Sequence, residues 1–582
     1  MASACLAAYL RRHNKEVECF DFGVDLFRRV TSQEKQTFEM SGTAAFNSLF
    51  PDSRLKSYVN DWAQQVIRAR ADIVGFSVYE TTTRASLLLA GKIKELSPET
   101  IVILGGPSCS RNDRAYDFMK KEYIDLVAVG EGEVTLLELL EKLEAGEPRD
   151  CLGVIEKKDG QVLDWGDRPL IRNLDSLPFP DFSDFCFDHY AKPFDLPVMM
   201  SRGCVGNCKF CSEKAHWGPF RCRSAESVFA ELKSHVETHG VRRFWFQDSL
   251  INGNVRVLSR LCDLILEDGL DITWAGKARA SSQMTEELCQ KLRRAGCEAI
   301  TYGLESGSQR VLDAMNKGVK VNDMSEAVRN THNAGIRVEA SFLIGYPTET
   351  KIDFLRTLWF TIRNRKYLDR IPVPPNACVI MPNSYLGEHP KEFGIVQPKG
   401  NEGAWFTEDG ANTVEERERR LWVFRLLRYI PGVNLDWSRI EAKEAHLQAS
   451  ATQQMPLTKF EAEVLMQTEL ESMSCGQIKP IVVAVKNSTE TIWRRRKDAG
   501  AFPIGASYHW YTPNGQIVVW DGNRAYLQED LLPGRKTLIS LSIRAPETEG
   551  VYALEPTLVQ ENLAWFDRRG LKTKRVRITV CS

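Results

Sequence analysis

The residues best placed to do chemistry lie in the stretch 201–212, S-R-G-C-V-G-N-C-K-F-C-S. It holds Cys204, Cys208 and Cys211 in the spacing C-x3-C-x2-C. Three thiolates this close can each bind one iron of a cubane iron–sulfur cluster. No fourth cysteine follows at short spacing, so a fourth iron stays open to an outside ligand. A zinc site or free thiols in a reducing compartment are the alternatives. Zinc sites ordinarily pair two C-x2-C knuckles, or a knuckle with histidines, and here one triplet stands alone.

Such a loop needs a frame. Downstream, apolar runs at 198–201, 244–246, 271–275, 299–304 and 337–344 read as strands, with a sixth at 376–380. Amphipathic helices lie between them, for example at 224–238 and 285–294. The repeating βα pattern predicts a partial (β/α) barrel, with its chemistry at the carboxyl ends of the strands. Those ends carry Gln247-Asp248-Ser249, Gly276-Lys277-Ala278-Arg279, Glu305-Ser306-Gly307 and Gly345-Tyr346-Pro347.

Upstream, residues 1–150 open on a helix at 4–12 and a short strand at 17–22. Apolar strands at 73–78, 101–104 and 125–129 then alternate with helices at 57–70, 84–96 and from 135. This predicts a parallel, Rossmann-like sheet covered on both faces. Ligands sit at the carboxyl ends of such strands. Here those ends hold Ser77 with Thr81–Thr83, then Gly105 and Gly106, then Gly130, Glu131 and Gly132. Glycine there lets backbone approach a bulky ligand; ordinary tight βα turns are the alternative.

Several motifs carry a family resemblance. The cysteine spacing with Phe210 before the last cysteine resembles the radical S-adenosylmethionine (radical SAM) family. So do G-L-E-S-G-S-Q-R-V-L-D-A-M-N-K-G at 303–318 and F-L-I-G-Y-P-T-E-T at 342–350. The pattern G-F-S-V-Y…I-L-G-G-P…V-G-E-G-E resembles the cobalamin-binding domain fused to many such enzymes. The resemblance implies three cofactors: a 4Fe-4S cluster, SAM and cobalamin. It implies that SAM chelates the open iron, with Glu305 and Ser306 facing its ribose or carboxylate. Gly345 would back the adenine, Phe210 would contact it through its backbone, and Asp248 would stand near the amino end, where this chain lacks a plain G-G-E. Cobalamin would lie over Ser77, Thr81, Gly105, Gly106, Gly130, Glu131 and Gly132. No D-x-H-x-x-G loop is present to supply a lower histidine ligand, and the first, normally central, strand of the sheet is not visible. Either the amino terminus is incomplete or the usual lack of a lower histidine applies. The resemblance further implies that an external electron donor, such as flavodoxin or ferredoxin, drives SAM cleavage to a 5′-deoxyadenosyl radical. Methylcobalamin could then deliver a methyl group.

Residues 151–195 read as a linker, with a hairpin turning at Asp159-Gly160 and a stiff L-P-F-P-D segment. The barrel takes 196–400. Residues 401–475 read as helical, with helices at 414–429, 440–444 and 458–470. From 476 to 582 the composition changes to short alternating strands separated by N-G, D-G and P-G turns, which predicts an immunoglobulin-like β-sandwich. Y-H-W-Y and V-V-W-D-G resemble a small sandwich domain found on enzymes of bacterial surface-sugar assembly. Trp510, Trp520, Trp565 and Phe566 could stack on a sugar or simply pack.

A net charge of -1 over 582 residues gives no electrostatic reason to expect nucleic acid or an anionic membrane. No apolar run is long enough to span a bilayer, and no signal peptide is visible. Fifteen cysteines without paired spacing fit a reduced cytoplasm. The fold expectation is therefore a multidomain α/β protein with a terminal sandwich. The functional expectation is a cytoplasmic cobalamin-dependent radical SAM enzyme methylating an unactivated centre of a small molecule or surface-sugar-related substrate. Radical cyclisation, oxidation or rearrangement without methyl transfer is the first alternative. A non-catalytic sugar-binding or scaffold protein is the second. The identity of the catalytic residues is left open.

Overall fold

The run I-V-I-L-G can be buried on both faces only if strands flank it and helices cover it, and that is how it is used. In the computed structural model β1 (Ile73–Ser77), β2 (Ile101–Gly105) and β3 (Leu126–Ala128) are parallel, in register Ile73↔Ile101 and Ile103↔Leu126. Val102, Ile103 and Leu104 are buried. On one face β2 packs with Ala90, Phe118 and Met119; on the other, Ile103 and Leu126 pack with Leu139 of the helix Gly132–Glu144. A hairpin of β4 (Val154–Lys158) and β5 (Gln161–Asp164) adds two antiparallel strands, so the sequence just after residue 150 extends this sheet. Among the described residues, β1 has a ladder partner on one side only.

The structure describes the chain except residues 32–34, 36–49, 51, 112–113, 159, 191–193, 375–376, 397–404, 438–456, 458, 496–501 and 562. It falls into two units, Met1–Lys443 and Glu444–Ser582. The helix expected at the start is present as Ala2–Arg12. The strand expected at 17–22 is not: that segment has no ladder partner among the described residues, and a helix begins at Phe22. Asp21 explains the change, since its side chain accepts the Val24 N–H at 3.0 Å and caps the helix.

The barrel begins with β6 (Leu196–Val198). A short antiparallel pair, β7 (Ser201–Arg202) and β8 (Arg221–Cys222), brackets the cysteine loop. Then come β9 (Arg243–Phe246), β10 (Thr273–Ala278), β11 (Cys297–Glu305) and β12 (Arg337–Phe342). The five main strands are parallel, in the order β12-β11-β10-β9-β6. Alternate residues Phe244, Phe246, Trp274, Ile300, Tyr302, Val338 and Ala340 are buried against the helical layer. The helices start where side-chain caps dictate. Ser224, Asn254 and Thr285 each accept the backbone N–H three residues on, opening the helices Ala225–His239, Val255–Asp268 and Glu286–Arg294.

The sixth strand expected at 376–380 does not form. Residues 377–380 carry no strand, and 376 lies outside the described residues. Instead Ile371–Pro372 pairs with Leu435–Asp436. The edge beside β12 is thus taken earlier, where Arg370 bridges Glu339, and the later segment only touches the end of that strand, the Cys378 N–H donating to the Ile344 carbonyl at 2.8 Å. Helix Val414–Arg425 forms behind its Thr413 cap. The helix expected at 440–444, and the turn residue Asp159, lie outside the described residues. The helix expected at 458–470 is replaced by strand Ala462–Met466, paired antiparallel to Ile478–Asn487. Its residues alternate between half-buried and exposed, the period-two signature that its acidic residues had masked.

The second unit is a two-sheet sandwich. One sheet joins Ala462–Met466, Ile478–Asn487 and Lys536–Arg544. The other runs through Ser472–Ser474, Val576–Cys581, Gly550–Gln560, Ile504–Tyr511 and Ile517–Val519. Trp493, Trp510, Leu541, Leu554 and Phe566 fill the space between. Among the described residues of the chain, no helix is long and apolar enough to cross a membrane.

Candidate active site

The cysteine loop is held open at both ends. Gly203 has φ +81°, and a Cβ there would come within 2.8 Å of the Pro219 carbonyl oxygen, so only glycine fits the turn out of β7. Further along, the Gly206 N–H donates to Cys204 Sγ at 3.3 Å. A Cβ on Gly206 would lie 3.5 Å from Cys204 Sγ, 3.6 Å from Cys208 Sγ and 3.7 Å from an Arg279 guanidinium nitrogen. Two thiols and a cation thus surround a spot kept free of side chain. The loop is tied to the barrel rim: Lys209 N–H donates to the Met315 carbonyl at 2.8 Å, and Asn316 Nδ2 to the Asn207 carbonyl at 3.0 Å.

Burial pushes the Cys211 thiol up to about 11. It raises Cys208 as well, opposed there by the charges of Lys317 and Arg279. Bound irons reverse that preference, because coordinated thiols lose their protons. No three His, Cys, Asp or Glu side chains among the described residues close on a single metal-ion position. Thiols that each bind a different iron of a cluster need not do so. The donor set, its half-buried setting and the flanking cations fit a cluster.

Beside the loop, β11 ends at Glu305, which has φ +62°. Its Oε1 lies 2.9 Å from Lys317 Nζ, and both side chains are largely buried. Lys317 Nζ also stands 5.7 Å from the centre of the Phe210 ring. Burial opposes the Lys317 charge, but Glu305 and Cys208 outweigh it and raise its affinity for the proton. The structure therefore brings Cys208, Phe210, Glu305, Lys317 and Arg279 together. The other expected SAM residues have polar groups already engaged. The Ser306 hydroxyl lies 3.1 Å from Thr357 Oγ1 and accepts the Ser308 N–H at 3.1 Å. Gly345 has φ +83° and donates to Glu349 Oε2 at 2.9 Å. Asp248 is buried and accepts the Met200 N–H at 3.1 Å and the Ser201 hydroxyl at 2.5 Å. Burial pushes its carboxyl up to about 6. Lys317 and Arg279 were missed as site residues, although N-K-G and G-K-A-R stood inside stretches already singled out.

The strand ends of the first sheet form a second rim. Ser77, Thr81 and Gly130 are exposed, with Gly105 and Gly106 half-buried beside them. Gly106 has φ +99°, and a Cβ there would sit 3.0 Å from both the backbone N and the carbonyl oxygen of Val78; a Cβ on Gly130 would meet open space. This glycine-lined rim fits a bulky flat ligand approached by backbone. Glu131 and Gly132 are engaged elsewhere. A Cβ on Gly132 would lie 3.0 Å from Leu6. Glu131 takes Arg202 at 2.6 Å, Arg221 at 2.9 Å and the Ile171 N–H at 2.8 Å. Glu133 takes the second guanidinium nitrogen of Arg202 at 2.5 Å. All four charged side chains are under 10% exposed. Since Arg202 lies two residues before Cys204, the first sheet holds the thiol loop directly. Asn383 Nδ2 adds a second bridge, donating to Ser110 Oγ at 3.2 Å. These pairs are far apart in sequence and left no local pattern to read.

In the second unit Trp510 and Phe566 are fully buried, so neither ring is available to a sugar. Trp520 stacks on His509 at 3.8 Å, with the Arg568 guanidinium 4.4 Å from its ring centre. Trp565 lies 4.6 Å from the same imidazole.

Comparison with known proteins agrees with this geometry. A B12 binding domain matches residues 2–140, and the radical SAM superfamily matches residues 198–360. An uncharacterized methyltransferase of Pyrococcus horikoshii is 31% identical over 306 residues, covering 52% of this chain and 66% of the relative. The anaerobic magnesium-protoporphyrin IX monomethyl ester cyclase of Cereibacter sphaeroides is 30% identical over 268 residues, 44% of each chain. The chain thus spans less than two thirds of these relatives' lengths. Among solved structures, the radical SAM methyltransferase TsrM from Kitasatospora setae, with cobalamin and a 4Fe-4S cluster bound, superposes with a TM-score of 0.54. It covers 77% of this chain and 96% of that one at 16% identity, a likeness of fold. The chain belongs to the radical SAM superfamily, in the group whose radical SAM domain follows a B12-binding domain, and its cofactors are SAM, a 4Fe-4S cluster and cobalamin.

Proposed function

We propose that this protein is a cobalamin-dependent radical SAM methyltransferase acting on an unactivated centre of a small molecule. The observation that carries the reading is the direct bracing of the thiol loop by the first sheet, through Glu131 and Glu133 on Arg202 and Glu131 on Arg221. A cobalamin on that sheet would then face the same barrel mouth as SAM, where a methyl group could pass to a substrate. Cys204, Cys208 and Cys211 hold the cluster. Phe210, Glu305 and Lys317 line the SAM position, and Arg279 offsets the charge of the thiolates. Ser306, Gly345 and Asp248 shape that position from behind. Ser77, Thr81, Gly105, Gly106 and Gly130 form the cobalamin rim, with Glu131 and Gly132 setting its height.

The cofactors supply the reductive cleavage of SAM and the methyl group; the chain orients them and excludes water. The electron comes from an external carrier of the flavodoxin or ferredoxin kind, and the compartment is the cytoplasm. The glycan-related substrate expected from the sandwich draws no support from Trp510 or Phe566.

Radical ring closure without methyl transfer is the second reading, supported by the likeness to the anaerobic cyclase. Product analysis separates the two. Methylated product with S-adenosylhomocysteine and 5′-deoxyadenosine formed together supports methyl transfer. 5′-Deoxyadenosine as the sole SAM product supports the cyclase-like outcome.

A further inference from the structure

The open face of the barrel carries a cation that has no partner among the described residues. β10 buries Trp274, Gly276 and Ala278, so its alternate residues face the opposite way. Lys277 is one of these. It is exposed although it sits within the central strand of a five-stranded sheet. Its register partner on β11 is Thr301, which pairs in turn with Glu339 on β12 and donates its hydroxyl to that carboxylate at 3.4 Å. Beyond β9, on the other side, exposed Gln247 follows the strand end.

The acids of the neighbouring strands β11 and β12 are already matched. Glu339 is taken by Arg370 at 3.2 Å and Arg337 at 3.5 Å. Glu305 is taken by Lys317 at 2.9 Å. Arg279, one same-face step or roughly 7 Å along the strand, stands by the thiol loop. Lys277 itself has no ion pair or side-chain hydrogen bond among the described residues. An exposed ammonium on a sheet face, with no acceptor among the described residues, has donors to offer.

We propose that Lys277 anchors an anionic group of the substrate, a carboxylate or a phosphonate or phosphate, with Gln247 as a neutral donor beside it. The substrate class is thereby an anionic small molecule. The inference rests on reading the barrel as the radical SAM site.

The test is site-resolved lysine acetylation of the full-length protein, prepared anaerobically, with peptide mass spectrometry reading Lys277 and exposed Lys320. The probes are acetate and methylphosphonate, with acetamide as the neutral control. At ~100 mM an anion fills a millimolar site to about 99%, so Lys277 labelling should fall at least about tenfold. Lys320 should be unchanged, and acetamide should do nothing. Protection by acetate assigns a carboxylate; protection by methylphosphonate assigns a phosphonate or phosphate. Calorimetric binding of the protecting anion should vanish in Lys277→Met and return in Lys277→Arg. Unchanged Lys277 labelling in both anions, or equal protection of Lys320, overturns the proposal. Cluster absorbance on the same sample keeps the two readings apart. A cluster without protection sinks the anion site alone, and protection without a cluster sinks the radical SAM assignment.

Discussion

Replacing Arg202 by methionine isolates the brace between the first sheet and the thiol loop. Arg202 serves Glu131 and Glu133, all three nearly inaccessible. After the change Glu131 keeps Arg221 and the Ile171 N–H, whereas Glu133 is left as a buried charge. Removing one partner of a buried ion pair costs about 3–5 kcal/mol, mostly because of the charge left behind. With one of the two acids still paired, the lower end applies, about 3 kcal/mol. At about 2.1 cal/mol/K of unfolding entropy per residue, that corresponds to a fall of roughly 3 °C in the melting temperature of the Met1–Lys443 unit. Arg202→Met should also reduce iron and sulfide content after anaerobic reconstitution, since β7 leads straight to Cys204. Scanning calorimetry and iron analysis read both effects. The double change Arg202→Met with Glu133→Gln removes the stranded charge and should recover at least half of the lost stability. A single variant melting within about 0.5 °C of the parent, roughly 0.5 kcal/mol, would refute the reasoning, as would a double variant no better than the single.

Three further outcomes are expected. Asp248 holds its proton more tightly in the folded chain, at about 6 against an ordinary 3.8. Its contribution to stability is therefore full below pH 4 and lost as the pH rises to 6, roughly 3 kcal/mol at about 1.4 kcal/mol per unit. Asp248→Asn can keep both hydrogen bonds, so without SAM it should be more stable than the parent at neutral pH and converge with it near pH 4; denaturant melts showing a pH-independent difference would contradict this. Gly206→Ala places a methyl at ordinary contact distance from two thiols, 3.5 and 3.6 Å. The variant should fold with a stability change under about 1 kcal/mol yet bind clearly less cluster, and a normal iron content would show that the cluster does not use this spot. Trp510→Ala removes a fully buried ring whose Nε1 donates to the Arg544 carbonyl at 2.8 Å. It should destabilise the Glu444–Ser582 unit by about 3–5 kcal/mol in a thermal melt; a loss under about 1 kcal/mol would mean the ring is not core.

The parts of this molecule written locally were legible in the sequence. C-x3-C-x2-C, the capped amphipathic helices and the apolar strands state their geometry within a dozen residues. Misreadings came where one local signal overrode another. The Asp21 cap displaced a strand at 17–22, residues 370–372 took the edge expected for 376–380, and acidic residues disguised the strand Ala462–Met466. At the site, Cys208, Phe210 and Glu305 converge because each sits beside a barrel strand end. The brace of Glu131 and Glu133 on Arg202 could not be read: it joins residues about 70 apart and depends on how one sheet meets another. Lys277 stood in plain view at a strand end, but its lack of a partner is a property of the assembled row.

Anaerobic reconstitution followed by reduction with SAM present tests the central claim most directly. The wild-type chain should assemble a 4Fe-4S cluster and release 5′-deoxyadenosine, and Cys208→Ala should release none while still binding cobalamin. A wild-type chain that forms no cluster and cleaves no SAM would contradict the account, as would a Cys208→Ala variant that cleaves SAM as well as the parent.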